Sequence, residues 1–246
     1  DDFLPEIAAF INDRPLFSHP IRPPLRVWGG GRAPALGDPA GPFQTIPEDD
    51  PATAGRSRAL EGLPEETTVL AGGVSGPIPV PMNGATYMAD VMGGQKTGLF
   101  YDQRPNHAFA ARLARGARVL DMFAHVGGFA LAALAGGAAS ALAVDASAAA
   151  LSLAGQGAQA SGFADRFATR QGDAFQVLEA LATEGAQFDL VICDPPAFAP
   201  AKPALEAGLR AYERIARLAA PLVAPGGYLV LCSCSHAADL ASFRNA

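Results

Sequence analysis

From Arg118 onward the chain alternates short apolar runs with longer alanine-rich stretches. The runs are RVLDMF (118–123), SALAVD (140–145), RFATRQGD (166–173), FDLVICD (188–194) and GYLVLCSC (227–234), each bounded by glycine or an acidic residue. Their shortness, boundaries and spacing predict strands. The intervening GGFALAALAGG, ASAAALSLAGQGAQASG, AFQVLEALATEG and PALEAGLRAYERIARLAAPL have the length and composition of helices. Strand–helix alternation predicts βαβ units, and so a doubly wound, mostly parallel α/β domain of the Rossmann-like kind. No repeat of solenoid period is visible.

The first third reads differently. Residues 1–81 hold 14 of the 21 prolines, with glycine clusters at 29–31 and 72–73. That composition predicts loops, turns and short strands such as ETTVLAG (66–72), and no compact helical domain. The expected division is an irregular segment over 1–55, a small linker subdomain over 56–105 and the α/β domain over 106–246.

Composition narrows the class. Half of the 246 residues are hydrophobic and 17% are charged, enough for a sizeable core. No apolar run approaches the roughly 18–20 residues of a membrane span, and residues 1–10 lack the order of a signal peptide. Three cysteines, two of them two residues apart, do not make a disulfide framework. A cytoplasmic enzyme is the expectation, with no membrane partner. The first residue is not Met, which reads as part of a longer chain. The net charge of −6 argues against a nonspecific nucleic-acid binder but leaves room for a local basic groove.

Ligands of open parallel sheets bind beyond the carboxyl ends of the strands. Asp121, Asp145, Asp173 and Asp194 stand at or near four such ends. Each is also a good helix N-cap, the plain alternative. After the first strand, FAHVGGFAL (123–131) carries Gly127 and Gly128 into a helix, where a ligand could approach the backbone. GxGxxG and GxxxxGK[ST] are both absent. With Asp145 about twenty residues on, placed for ribose hydroxyls, the turn points to an adenosine cofactor. DPPAF (194–198) follows the fourth strand; its prolines stiffen a loop in which Phe198 could stack on a flat substrate while Asp194 bonds its edge.

In GYLVLCSCSH, Cys232, Cys234 and His236 face one side of a strand and Ser233 and Ser235 the other. Buried thiols acting as small apolar residues are one reading. Zinc held with Cys193 is another, weakened because residues two apart on a straight strand point in parallel; no metal is expected. A nucleophile is the third. Pyrimidine C5 becomes nucleophilic once a thiolate adds at C6, so covalent catalysis gives such a cysteine a task. Cys234, nearer the open end, is the stronger candidate and Cys232 the reserve.

The Gly127–Gly128 turn, Asp145, GDAF (172–175) and DPPAF follow the order of class I methyltransferases, and GGQKTGLFYDQR (93–104), VLDMFAHVGGF (119–129), DPPAFA (194–199) and CSCSH (232–236) follow one another along the chain. Together they resemble the bacterial 23S ribosomal RNA cytosine-5 methyltransferase family, in which a PUA-type RNA-binding domain precedes the catalytic part. The resemblance covers roughly residues 56–246. It implies S-adenosyl-L-methionine as cofactor and ribosomal RNA as substrate, and leaves the choice of nucleophile between Cys234 and Cys232 to their places on the strand. Lys96 and Gln103 would belong to a loop over the cofactor, with Asp121, Phe123, Gly127 and Gly128 around its methionine and adenosine. Asp145 and Ala146 would meet the ribose, and Asp173 and Ala174 the adenine. Asp194, with Pro195 and Phe198 beside it, would orient the cytosine, and His236 is a candidate base.

Two departures stand out. Residues 1–55 are too short for a complete PUA domain, which reads as a remnant. Relatives of this type continue past residue 246 through a terminal hairpin, whose loss predicts an exposed edge along 228–234. Two rivals remain open: transfer to an exocyclic purine amine centred on Asp194, where no cysteine is needed, and a noncatalytic RNA-binding or assembly factor with this fold.

Overall fold

The computed structural model describes residues 6–11, 75–93, 98–235 and 237–245. Lys96 and His236, the ETTVLAG run and most of the segment 1–55 lie outside them. The described residues fall in one compact unit.

Five strands build the central parallel sheet: β4 (Arg118–Met122), β5 (Ser140–Asp145), β6 (Phe167–Gln171), β7 (Phe188–Cys193) and β8 (Val223–Ser233). Each falls on a run that the apolar pattern marked. An outer strand, β1 (Glu6–Ile11), pairs parallel with β8, giving the order β1-β8-β7-β4-β5-β6. The edge expected to be bare is therefore covered along Tyr228–Ser233. Strand order reverses between β4 and β7, so the ends of these two neighbours frame the crevice where ligands of such sheets bind.

Alternation along the strands separates two core layers. Val119, Leu190, Ile192, Val230 and Cys232 join one apolar cluster; Leu120, Met122, Val191, Cys193 and Leu229 join the other. Helices α2 (Gly128–Ala135), α3 (Ala148–Ala160), α4 (Ala174–Thr183) and α5 (Leu205–Ala219) occupy the expected stretches. In α2 every residue from Phe129 to Leu134 is buried. A helix apolar on all sides must be covered on all sides. The second cover comes from α1 (Arg104–Leu113) and from the hairpin β2 (Ile78–Met82) and β3 (Ala85–Ala89). A short helix, α6 (Leu240–Asn245), ends the described chain.

Glycine sets how closely the hairpin approaches α3. A Cβ on Gly157 would stand 2.9 Å from the Thr86 carbonyl oxygen and 2.9 Å from Leu131 Cδ1. Gly155, in the same helix, has nothing within 4 Å of that position. Gly155→Ala should therefore stabilise by up to about 1 kcal/mol, the helix-propensity gain. At Gly157 that gain is outweighed by overpacking against backbone, about 1–3 kcal/mol, so Gly157→Ala should destabilise. Urea denaturation of the two variants reads the opposite signs.

Candidate active site

The turn after β4 is built from unusual backbone. Phe123 and His125 have φ of 62° and 48°, and Gly127 has 81°. Left-handed geometry costs a non-glycine residue about 1–2 kcal/mol, so it needs support from neighbours. Ala124 N–H donates to the Val144 carbonyl at 2.9 Å, and His125 N–H donates to Asp145 Oδ2 at 2.8 Å. Asp145 Oδ1 accepts from Ser147 N–H at 2.8 Å. Asp145 thus ties the end of β5 to the turn after β4, and Ser147 takes the N-cap of α3. Burial pushes the His125 imidazole below its usual range, against the pull of Asp145. Its edge meets the Phe100 ring with centroids 5.2 Å apart.

The two glycines make room for protein rather than for open space. A Cβ on Gly128 would lie 2.7 Å from the His107 ring, and one on Gly127 would lie 3.2 Å from Ala154 Cβ. The glycines let α1 and α3 close on the start of α2. Tyr87, fully buried on β3, donates its hydroxyl to the Gly128 carbonyl at 3.1 Å.

Asp121 is the most unusual group here. It is fully buried at the crevice end of β4. Oδ2 accepts from Ala130 N–H at 2.8 Å, in the first turn of α2, while Oδ1 is buried with no hydrogen bond among the described residues. Burial pushes its carboxyl up to about 8; the Ala130 N–H pulls it down, and the charges of Asp194 and Asp145 push it further up.

The remaining acids divide. Asp173 is the N-cap of α4, with Oδ1 accepting from Gln176 N–H at 3.1 Å, and Ala174 beside it is buried. Ala146 offers its carbonyl to Gln171 Nε2 at 3.1 Å. Asp194 caps no helix; half-buried, it follows β7 and donates its N–H to the Met122 carbonyl at 3.3 Å. Pro195 is buried behind it. Gln103 is buried and accepts from Asn106 Nδ2 at 2.8 Å, inside the start of α1. Phe198 is engaged by protein: its ring lies 6.4 Å from that of Phe175 and 5.0 Å from that of Tyr212. A freely offered stacking surface is not what it presents, because α5 closes on this loop at Gly208.

The three thiols separate cleanly, none of them in a disulfide. Cys193 and Cys232 are buried in opposite layers of the core, so they do not face a common ion. Burial pushes both thiols up. Cys232, the reserve nucleophile, is 2% exposed and loses that standing, since a thiolate there has no solvation. Cys234 is exposed, one residue beyond the end of β8. The register pairs Cys193 with Leu231; continued, it sets Asp194 level with Cys232 and Cys234 two residues further out. The exposed thiol and the half-buried carboxylate therefore emerge from adjacent parallel strands at the same end of the sheet.

The sequence reading missed Tyr87, His107 and Tyr212. None had a local motif; each owes its place to packing between distant elements. Ser233 and Ser235 carried a signal, their alternation with the cysteines.

Comparison with known proteins bears on this geometry. A family model described as S-adenosylmethionine-dependent methyltransferase matches residues 67–242. The chain is 37% identical over 190 residues to the ribosomal RNA large subunit methyltransferase I of Aeromonas salmonicida, covering 76% of this chain and 48% of that protein. It is 40% identical over 181 residues to the protein of the same name from Shewanella amazonensis, covering 73% and 46%. The chain spans about half the length of the curated relatives it matches. Among solved structures, a SAM-dependent methyltransferase from Agrobacterium tumefaciens superposes with a TM-score of 0.62 at 21% identity, over 72% of this chain and 59% of that one. A methyltransferase complexed with SAH gives 0.63 at 21% identity, over 72% and 47%. At such identity the structural likeness concerns the fold.

Proposed function

The chain belongs to the S-adenosylmethionine-dependent methyltransferase family, and from that premise we propose that it forms 5-methylcytidine in large-subunit ribosomal RNA, in the cytoplasm, through a covalent adduct at Cys234. S-adenosylmethionine is the cofactor, and it supplies an electrophilic methyl group on a sulfonium. The residues at the crevice suit it. Carboxylates at the ends of β5 and β7 complement sulfonium and ammonium charge, and Asp121, at the end of β4, holds a buried oxygen with no hydrogen bond among the described residues.

The observation that carries the cytosine reading is the contrast among thiols: two buried in the core, one exposed past the end of β8, the strand paired with the one that Asp194 follows. The thiolate of Cys234 adds to C6, and the C5=C6 electrons move to C5, which would take the methyl group as its bond to the sulfonium sulfur breaks, leaving a neutral thioether. A base then removes the C5 proton, the S–C6 bond breaks and the double bond returns. Asp194 orients the cytosine through N3 or N4. The relatives' names support the RNA as substrate. No helix among the described residues is long and apolar enough to cross a membrane.

Nucleoside mass spectrometry of ribosomal RNA, taken from a strain lacking the protein and incubated with it and cofactor, tests this. The expected product is 5-methylcytidine. An N-methylated purine instead would move the chemistry to an exocyclic amine and leave Cys234 without a role.

A further inference from the structure

Cys234 sits between two buried serines that share one tyrosine. Ser233 Oγ donates to the Tyr212 hydroxyl at 3.0 Å, and the Tyr212 hydroxyl lies 2.8 Å from Ser235 Oγ. Ser235 N–H donates back to Ser233 Oγ at 3.2 Å. Ser235 Oγ also accepts from Ala199 N–H at 2.9 Å, and Ala237 N–H donates to the Ala199 carbonyl at 3.3 Å. Ser233, Ser235 and Tyr212 are all buried.

The position of this network explains its use. Pairing between β7 and β8 stops at Cys193 and Leu231. Beyond that point the backbone ladder no longer fixes the segment holding Cys234 against the segment holding Asp194. Side chains take over. With both neighbours pinned inward, the intervening side chain is turned outward. Through Ala199 the Ser235 oxygen holds the loop that begins at Asp194. One hydroxyl from α5 thus joins the two segments that the proposed reaction needs in register.

We propose that Tyr212 is a positioning residue for the reaction, holding the Cys234 and Asp194 segments at a fixed separation through Ser233, Ser235 and Ala199. The inference rests on the assignment of Cys234 as nucleophile. The Tyr212 ring packs between Phe198, tilted to it, and Phe243, met edge-on, with centroids 5.0 and 4.9 Å away, so its packing survives loss of the oxygen alone. A misplacement near 1 Å between reacting groups lowers a rate by roughly 100-fold.

The test compares Tyr212→Phe, Ser235→Ala and Phe243→Leu with the unaltered protein, at saturating RNA and cofactor, alongside Cys234→Ala. Tyr212→Phe should lower kcat about 10- to 100-fold, with the cofactor Kd and the KM for RNA within about twofold of the original. Ser235→Ala should fall in the same range, and it stands in if Tyr212→Phe does not fold. Phe243→Leu disturbs the same aromatic row without touching the hydroxyl and should keep kcat within about twofold. Retention of full kcat by Tyr212→Phe and Ser235→Ala overturns the inference, as does an equal loss in Phe243→Leu. Should Cys234→Ala remain active, the assignment of the nucleophile itself fails, whatever the tyrosine variants do.

Discussion

Cys234→Ala should lose methyl transfer by a factor on the order of 10⁴ or more, the scale seen when a covalent nucleophile is removed, while binding cofactor as before. The reason is chemical rather than structural. Cys234 is exposed and lies beyond the last residue of β8, so truncating it opens no cavity. Without sulfur addition at C6, cytosine C5 lacks the electron density to take a methyl group. Cys232→Ala should behave in the opposite way. Cys232 is packed with Val119, Ile192 and Val230, so its loss should cost about 1 kcal/mol of stability and leave kcat near its original value. Single-turnover transfer assays paired with calorimetric cofactor binding distinguish the two. Equal activity losses in both variants would contradict the separation of roles.

Asp121 gives the second large effect, on stability. Its folded-state carboxyl is raised to about 8, first by burial, with Asp194 and Asp145 adding to it and the Ala130 N–H opposing; in an unfolded chain it would titrate near 3.9. Between these values the folded state keeps a proton that the unfolded state has lost. Stability from this group is therefore complete below about pH 4 and declines as pH rises toward about 8, by up to about 1.4 kcal/mol per pH unit. Asp121→Asn removes the titration while retaining an oxygen to accept from Ala130 N–H. The difference in unfolding free energy between variant and original should therefore shift in the variant's favour by several kcal/mol from about pH 4 to about pH 8. Taking that difference cancels the other titrating groups. Urea denaturation at four pH values measures it, and parallel profiles would show that Asp121 is ionised in the folded protein.

The fold was written openly in the chain because most of its strands are short apolar runs and its helices are alanine-rich. All five core strands and four of the helices fall where the pattern puts them. Helix α1 escaped because the residues that it buries include Asn106 and His107, so apolar periodicity did not mark it. The hairpin β2–β3 escaped because Pro79 and Pro81 read as breakers, whereas on a two-stranded sheet every strand is an edge and tolerates proline.

The site was legible in part. The ends of β4, β5 and β7 were found from their acids, but the alternative role of each Asp as a cap could be decided only in three dimensions. Asp173 is a cap; Asp145 braces a strained turn; Asp121 holds the start of α2 from the end of β4. Phe198 and the glycine pair show why motif and use diverge. Their surroundings are supplied by α5, α1 and α3, elements whose approach no local spacing encodes.

Trapping the adduct addresses the nucleophile most directly. Ribosomal RNA carrying 5-fluorocytidine at the target position, incubated with protein and cofactor, should form a stable protein–RNA conjugate, because fluorine at C5 blocks the proton loss that releases sulfur. Peptide mapping should find the nucleotide on Cys234, and the conjugate should vanish in Cys234→Ala. Efficient methylation of the natural RNA with no conjugate from the fluorinated one, or a conjugate on another residue, would contradict the account.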